Sequence, residues 1–166
     1  MNPFFASSTL PYQAPPFDAI NDSHYRPAFD EALKRKRQEI ADIANNPAPA
    51  TFDNTVVALE IAGDELSRVS SLFWGKAGAH TNETIQALER EIAPKMSRHY
   101  SKIGTNAALF ARIDALWEKR AELGLTLEQE RVLERHWKGF VKSGAKLEKP
   151  EQDRLSSIGE KLAGLG

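Results

Sequence analysis

Apolar residues recur at three- and four-residue spacing along most of this chain, and that spacing most strongly limits the folds it can adopt. One such stripe is formed by Tyr25, Phe29, Leu33, Ile40 and Ile43. Side chains at this spacing lie on one face of an α-helix, whereas a half-buried strand needs strict alternation, which no segment shows. The pattern therefore predicts an all-α fold.

Residues that start or stop helices separate the predicted segments. Pro27 falls in the first turn of the first helix, which Asp22 or Ser23 would cap, and the run NNPAPA stops it. Thr126 and Gln129 form a capping box for the fifth helix. The predicted helices begin near Ser23, Asn54, Asn82, Ala107, Thr126 and Pro150. Short turns between about six helices favour antiparallel neighbours, in a bundle or in stacked hairpins.

Three of these helices have features that bear on their packing. The second is predicted to run unbroken through VVALEIAGDELSRVSSLFWGKAGAH, from Asn54 or Thr55 to His80. The third contains Pro94, which should kink it because the ring removes one backbone hydrogen bond. The sixth carries four apolar residues on one face, namely Leu155, Ile158, Leu162 and Leu165.

The first 22 residues do not fit the helical pattern. Their prolines fix φ and remove backbone donors, so a regular helix is excluded there. Their aromatic rings would gain stability by burial. We therefore predict an extended strap over 1–22 that docks on a helical domain over 23–166. The rings of this strap are Phe4, Phe5, Tyr12 and Phe17.

The composition excludes several classes of function. The sequence contains no cysteine, so it has no disulfide framework, thiol nucleophile or thiolate metal site. Its net charge of -1 provides no field that would select nucleic acid or an anionic membrane. The N-terminus lacks the basic region of a secretion signal, and no apolar run approaches the ~20 residues that span a bilayer. We expect a cytoplasmic protein without nucleic-acid or membrane partners.

The titratable residues yield no catalytic, cofactor-binding or metal-binding assignment. No two histidines have the i,i+4 spacing that directs two imidazoles toward one metal, so we expect surface or capping roles. The carboxylates lie on charged helical faces, and nothing selects a pair for acid–base catalysis. The histidines are His24, His80, His99 and His136, and the carboxylates considered are Asp114, Glu128, Glu130 and Glu134.

A basic run and three tryptophans allow two interpretations each. KRKR at 34–37 could contact nucleic acid, but pairs of Asp30 with Lys34 and Glu31 with Arg35 favour a solvated helix face. The tryptophans lie on apolar stripes, which favours core packing over an interface with a partner. They are Trp74, Trp117 and Trp137.

Longer stretches of the chain resemble a family of enzymes. NPFFASSTLPYQAPPFDAINDSHYRPAFDEAL resembles the N-terminus of bacterial peptidyl-dipeptidases, also called dipeptidyl carboxypeptidases, which are zinc metallopeptidases of the thimet oligopeptidase family. FDNTVVALE, AHTN, LFARIDALWEKRAELGL and FVKSGAKL match the same family in the same order. The oligopeptidase A branch has a comparable layout, but its opening is less similar.

The resemblance implies a mostly helical, cytoplasmic enzyme that removes dipeptides from the C-termini of oligopeptides. In that family a His-Glu-x-x-His helix and a later glutamate hold zinc, and this motif is absent from the sequence. We therefore expect an N-terminal fragment that is inactive alone and has no cofactor of its own, with zinc in the full-length parent. Its helices would form part of the substrate-channel wall.

An incomplete helical domain should expose an apolar surface where the catalytic domain of the same chain packs. We expect a patch beyond the few hundred Å² usual for a monomer, which could also pair two copies. The alternative is an autonomous, non-catalytic helical binding module with a self-contained polar surface.

Overall fold

The computed structural model describes residues 2–165, and every regular element in that range is helical, which confirms the predicted all-α fold. The α-helices are α1 (Tyr25–Ala44), α2 (Ala58–Ile61), α3 (Asp64–Ala79), α4 (Glu83–Gly104), α5 (Ala107–Glu118), α6 (Leu127–Lys142) and α7 (Lys149–Ala163). Because α2 is a single short turn, six longer helices remain in the described range. None of these helices combines the length and the apolar character that crossing a bilayer requires.

The chain divides into two compact units, each built from two stretches of sequence. Unit 1 comprises Met1–Arg37 and Gly63–Ile92, and unit 2 comprises Gln38–Ala62 and Ala93–Gly166. The chain passes from one unit to the other within α1, between α2 and α3, and within α4 next to Pro94.

The core of unit 1 is rich in aromatic rings. Tyr25, Phe29 and Phe73 are fully buried. The ring centroid of Phe73 lies 5.3 Å from that of Tyr25 and 5.3 Å from that of Phe29, in edge-to-face geometry. Such pairs stabilise a core beyond the area that they bury. The predicted α1 stripe is confirmed, since all five of its residues are buried: Tyr25, Phe29 and Leu33 in unit 1, and Ile40 and Ile43 in unit 2.

The segment ahead of α1 contacts the helices through one aromatic ring. Phe4 is buried, and its ring centroid lies 5.2 Å from that of Tyr25. Phe5, Tyr12 and Phe17 are exposed, so the docking expected for these rings is not observed. Pro3 and Pro11 each begin a short 3₁₀ turn in this segment.

The predicted unbroken second helix is wrong. Phe52–Val57 already forms a π-helical turn, which Thr51 caps, and α2 then ends at Ile61. Gly63 follows with a φ of +83°, a left-handed conformation that glycine adopts without steric cost, and α3 starts at Asp64. The signal lay in the Gly-Asp-Glu sequence, because acidic residues are favoured in the first turn of a helix.

Unit 2 is centred on α5 and α6, which pack against each other. Ile113 and Leu133 are fully buried at the centre of its core, where the Phe110 and Phe140 rings stack with centroids 6.0 Å apart. The predicted capping box of α6 is confirmed. Thr126 Oγ1 accepts a hydrogen bond from the backbone of Gln129, and Gln129 Oε1 accepts one from the backbone of Thr126.

Candidate functional site

His24 and His80 occupy helix ends in unit 1. Asn21 Oδ1 accepts a hydrogen bond from the Ser23 backbone N–H, and His24 Nδ1 accepts one from the Asn21 backbone N–H, both at 3.1 Å. The cap therefore lies at Asn21, one residue ahead of the predicted position, because an Asn side chain reaches the free amides of the first turn. His80 is exposed and follows the last residue of α3.

His99 and His136 lie in unit 2 and have different surroundings. His99 is only 5% exposed, and its ring centroid lies 5.4 Å from that of Tyr100. A surface or capping role is therefore wrong for His99. His136 Nε2 lies 2.6 Å from Glu60 Oε1 and joins α6 to α2.

The His136–Glu60 pair comes nearest to an acid–base arrangement. A carboxylate can orient an imidazole so that it removes a proton from a nucleophile. The pair lines a cleft of about 240 Å³, and the other lining residues are Val132 and Arg135. The side chains that line this cleft offer no hydroxyl or thiol, and the observed contact of the pair connects α6 to α2.

Two of the carboxylates singled out from the sequence, Asp114 and Glu134, hold separate partners. Asp114 Oδ1 accepts a hydrogen bond of 2.7 Å from Trp137 Nε1. Hydrogen bonds from Lys138 and Arg131 hold the pKa of Glu134 below its usual range, so this carboxyl is ionised near neutral pH and has no proton to donate. The first turn of α6 contains the other two, Glu128 and Glu130.

The residues that the structure describes do not fit a zinc ion. Within residues 2–165 no group of three or more histidine, aspartate or glutamate side chains could hold a metal ion. The sequence also contains no cysteine and no His-Glu-x-x-His motif. We therefore assign no chemical step to a metal held by this chain.

Acidic side chains partly neutralise the basic run at 34–37. Arg35 lies 3.0 Å from Glu31 and 3.0 Å from Glu65, and Lys34 lies 3.7 Å from Glu31. These ion pairs belong to an exposed helix face, which favours the solvated-face interpretation over a nucleic-acid site.

Two of the tryptophans form one stacked pair at the edge of the unit 2 core. The ring centroids of Trp117 and Trp137 lie 5.1 Å apart, and the rings are inclined by 20°. The Arg120 guanidinium lies 4.1 Å from the Trp117 ring centroid, and Lys146 Nζ lies 5.0 Å from that of Trp137. The rings thus contact each other and two cations, which supports packing as their role. Trp74 packs against Phe73 in unit 1, with ring centroids 5.0 Å apart.

Arg112 fixes the loop after α1, a role that none of the sequence-based predictions included. Its guanidinium donates hydrogen bonds to the carbonyls of Asn46 and Ala48, at 2.9 and 3.0 Å, and to Asn54 Oδ1 at 2.8 Å. The planar group suits this role because it presents several donors in a rigid fork. No local signal reveals it, since the acceptors lie 58 to 66 positions away in the sequence.

In unit 2, the helix α7 exposes apolar side chains at helical spacing. None of its residues is buried. We use the name α7 seam for the four apolar residues that the sequence placed on one face. Their exposed fractions rise along the chain: Leu155 40%, Ile158 47%, Leu162 63% and Leu165 83%. An apolar helix face that stays largely exposed is a candidate interface.

Comparison with known proteins shows similarity along nearly the whole chain. The sequence is 45% identical over 165 residues to the dipeptidyl carboxypeptidase of Escherichia coli K12, an alignment that covers 99% of this chain. The chain is a relative of the dipeptidyl carboxypeptidases. The corresponding enzyme of Salmonella typhimurium is 44% identical over 164 residues. The family resemblance seen in the sequence motifs is thereby confirmed.

A second group of relatives is more distant. Oligopeptidase A of Salmonella typhimurium is 26% identical over 165 residues. The higher identity to the dipeptidyl carboxypeptidases supports that branch over oligopeptidase A. The chain spans only 24% of the length of these dipeptidyl carboxypeptidases and of this oligopeptidase A. No protein-family model matches the chain.

Proposed function

We propose that this chain is a helical part of a zinc-dependent peptidyl-dipeptidase, a cytoplasmic enzyme that releases C-terminal dipeptides from oligopeptides. The identity of 45% over 165 residues to a dipeptidyl carboxypeptidase carries the proposal. Because the chain spans 24% of that relative, the activity is proposed for the longer parent polypeptide.

The proposed role of these helices is architectural. In the parent enzyme they form part of the wall of a channel that admits unfolded oligopeptides. Two buried cores, capped helices and the hydrogen bonds that Arg112 donates to the loop after α1 support this role, because they hold the helices in fixed positions. The zinc ligands of the parent would lie outside these residues, and the chain alone would be inactive.

An endopeptidase of the oligopeptidase A type is the second candidate, supported by the 26% identity to that enzyme. The two activities differ in what they require of a substrate. A peptidyl-dipeptidase reads the free C-terminal carboxylate, whereas an endopeptidase cleaves inside the peptide. Amidation of the substrate's C-terminus would therefore abolish the first activity and spare the second.

A chimera tests the proposed function. This chain would replace the matching quarter of the Escherichia coli dipeptidyl carboxypeptidase, and dipeptide release from a short peptide would be measured with zinc present. We expect an active chimera that a chelator inactivates and zinc restores, and no activity from the 166-residue chain alone. A folded but inactive chimera would contradict the proposal, and so would dipeptide release by the isolated chain.

A further inference from the structure

We propose that the α7 seam, Leu155, Ile158, Leu162 and Leu165, is the docking surface for an amphipathic helix supplied by the remainder of the parent polypeptide. This inference rests on the proposed function, because it requires a longer parent chain.

The spacing of the seam residues specifies a helix as the partner. Their separations of three, four and three positions reproduce the alternation of a coiled-coil heptad. An apolar stripe this narrow suits one helix that lies nearly parallel to α7, with side chains packed as knobs into holes. A flat sheet or an irregular loop would leave such a stripe partly uncovered.

Several contacts of α7 within unit 2 use small and polar residues and leave most of the seam exposed. Gly159 lies against the side chain of Ser97 on α4, and Glu160 Oε2 lies 2.7 Å from an Arg98 nitrogen on the same helix. Gln152 Nε2 donates a hydrogen bond of 3.0 Å to the carbonyl of Gly144. A usual surface helix has the opposite arrangement, with its apolar face turned toward the core.

The exposed fractions of the seam residues show that the C-terminal end of the seam is the more accessible to a partner. Leu155 lies against Gly144 in the turn before α7, which explains why it is the least exposed of the four. Exposure then rises to 83% at Leu165, in the turn after the helix. A partner helix would therefore bury more new surface at the C-terminal end of the seam than at its start.

The remainder of the parent polypeptide is a better occupant than a second copy of the chain. The chain covers 24% of its dipeptidyl carboxypeptidase relatives, so most of their length has no counterpart here. A segment tethered to α7 would meet the seam at an effective concentration on the order of millimolar. A free second copy at micromolar concentration could not compete with a tethered helix of similar affinity.

Charge beside the seam defines the partner further. Arg154 and Lys161 are exposed and lie seven positions apart, so both line the same edge of the seam. Residues that flank an apolar seam select a partner of opposite charge. The docking helix should therefore carry acidic side chains along the edge that faces Arg154 and Lys161.

Thiol accessibility in the chimera described above tests this proposal. The chain has no cysteine, so Ile158→Cys and Leu162→Cys each introduce one reporter into it, and Leu127→Cys places a matched reporter off the seam, at a side chain that is 87% exposed. Labelling would be read by mass spectrometry of the peptide that carries each site. We expect the two seam positions to react at least about tenfold more slowly in the chimera than in the isolated chain. Labelling at the control position should be unchanged.

A charge variant adds a second arm. Arg154→Glu combined with Lys161→Glu in the chimera should raise the labelling rate at the seam positions, because the docking helix would then face like charge. Unchanged labelling would overturn the proposed acidic edge of the partner.

The remaining outcomes of the labelling experiment would each reject either the docking site or the proposed function. Equal labelling in the chimera and the isolated chain would overturn the docking proposal, as would equal protection of all three reporters. Protection of the isolated chain that grows with its concentration would identify a second copy as the occupant instead. Dipeptide release is measured on the same samples. An active chimera with reactive seam thiols would reject the docking site alone, and an inactive chimera with protected thiols would reject the proposed function alone.

Discussion

The helices α1 and α7 carry the same kind of sequence pattern and meet opposite environments. Both are long, and both place apolar residues at three- and four-residue spacing. The stripe of α1 is buried throughout, with Phe29 at 0% exposure, whereas α7 buries no residue and Ile158 is 47% exposed. The comparison shows that the spacing of apolar residues identifies the helix face that suits an apolar contact. It does not show whether the same folded unit supplies that contact.

The largest effect should follow removal of a ring from the buried stripe. Phe29→Ala should lower the free energy of unfolding by about 3–5 kcal/mol, because it deletes a packed ring and leaves a cavity beside Phe73. Urea denaturation of the variant and the parent measures the change. An unchanged midpoint would show that α1 does not bury this face.

Loss of a helix cap should cost less and does not depend on tertiary packing. Thr126→Ala should lower the free energy of unfolding by about 1 kcal/mol, because the backbone N–H of Gln129 loses its acceptor. Thr126→Ser keeps the hydroxyl and is the matched control. A cost as large as that of Phe29→Ala would mean that local signals and buried contacts stabilise these helices equally.

Acidification should weaken the attachment of α7 to α4. The hydrogen bond from Arg98 holds the pKa of Glu160 below its ordinary value of 4.5. The stabilisation is therefore fully present above that ordinary value and is lost as the pH falls through the lowered pKa of the folded state. Amide hydrogen exchange, corrected for its intrinsic pH dependence, should rise in α7 on acidification and stay low along the buried stripe of α1.

Glu160→Gln is the control for the pH experiment. This variant cannot form the ion pair with Arg98, so acid should change the exchange rates of its α7 much less. Equal acid sensitivity in the variant and the parent would assign the opening of α7 to other groups.

The smallest effect is expected on the α7 seam. Ile158→Ala should change the free energy of unfolding of the isolated chain by no more than about 0.5 kcal/mol, because the side chain is half exposed and closes no core. Comparison of its urea midpoint with that of Phe29→Ala tests the contrast directly. A loss of several kcal/mol would show that the seam is already packed within this chain.

Local rules predicted features whose causes lie close together in the sequence. The α1 stripe and the Thr126–Gln129 capping box were both readable, because side chains three or four positions apart meet whenever a helix forms. The break at Gly63 was also signalled locally, but the surrounding helix formers concealed it. The capping role of Asn21 was missed by a single residue.

Other features depend on residues that only folding brings together. Arg112 carries no local mark of its role, since its three acceptors come from a distant loop and the start of the π-helical turn. The burial of His99 and the exposure of Phe17 likewise follow from which neighbours cover each side chain. The sequence pattern placed the four seam residues on one face. It did not predict that they are exposed, because exposure depends on which other elements pack nearby.

The sequence by itself determined that this chain is helical, where most of its helices start, which faces are apolar and which enzymes it resembles. Those properties arise from backbone preferences, side-chain periodicity and shared ancestry, which short stretches of sequence express. Only the tertiary structure decided that the chain forms two units, each from two stretches of sequence, that Arg112 holds a loop and that the α7 seam is largely exposed. These outcomes depend on contacts between residues far apart in the chain, whose stabilising energy exists only after folding.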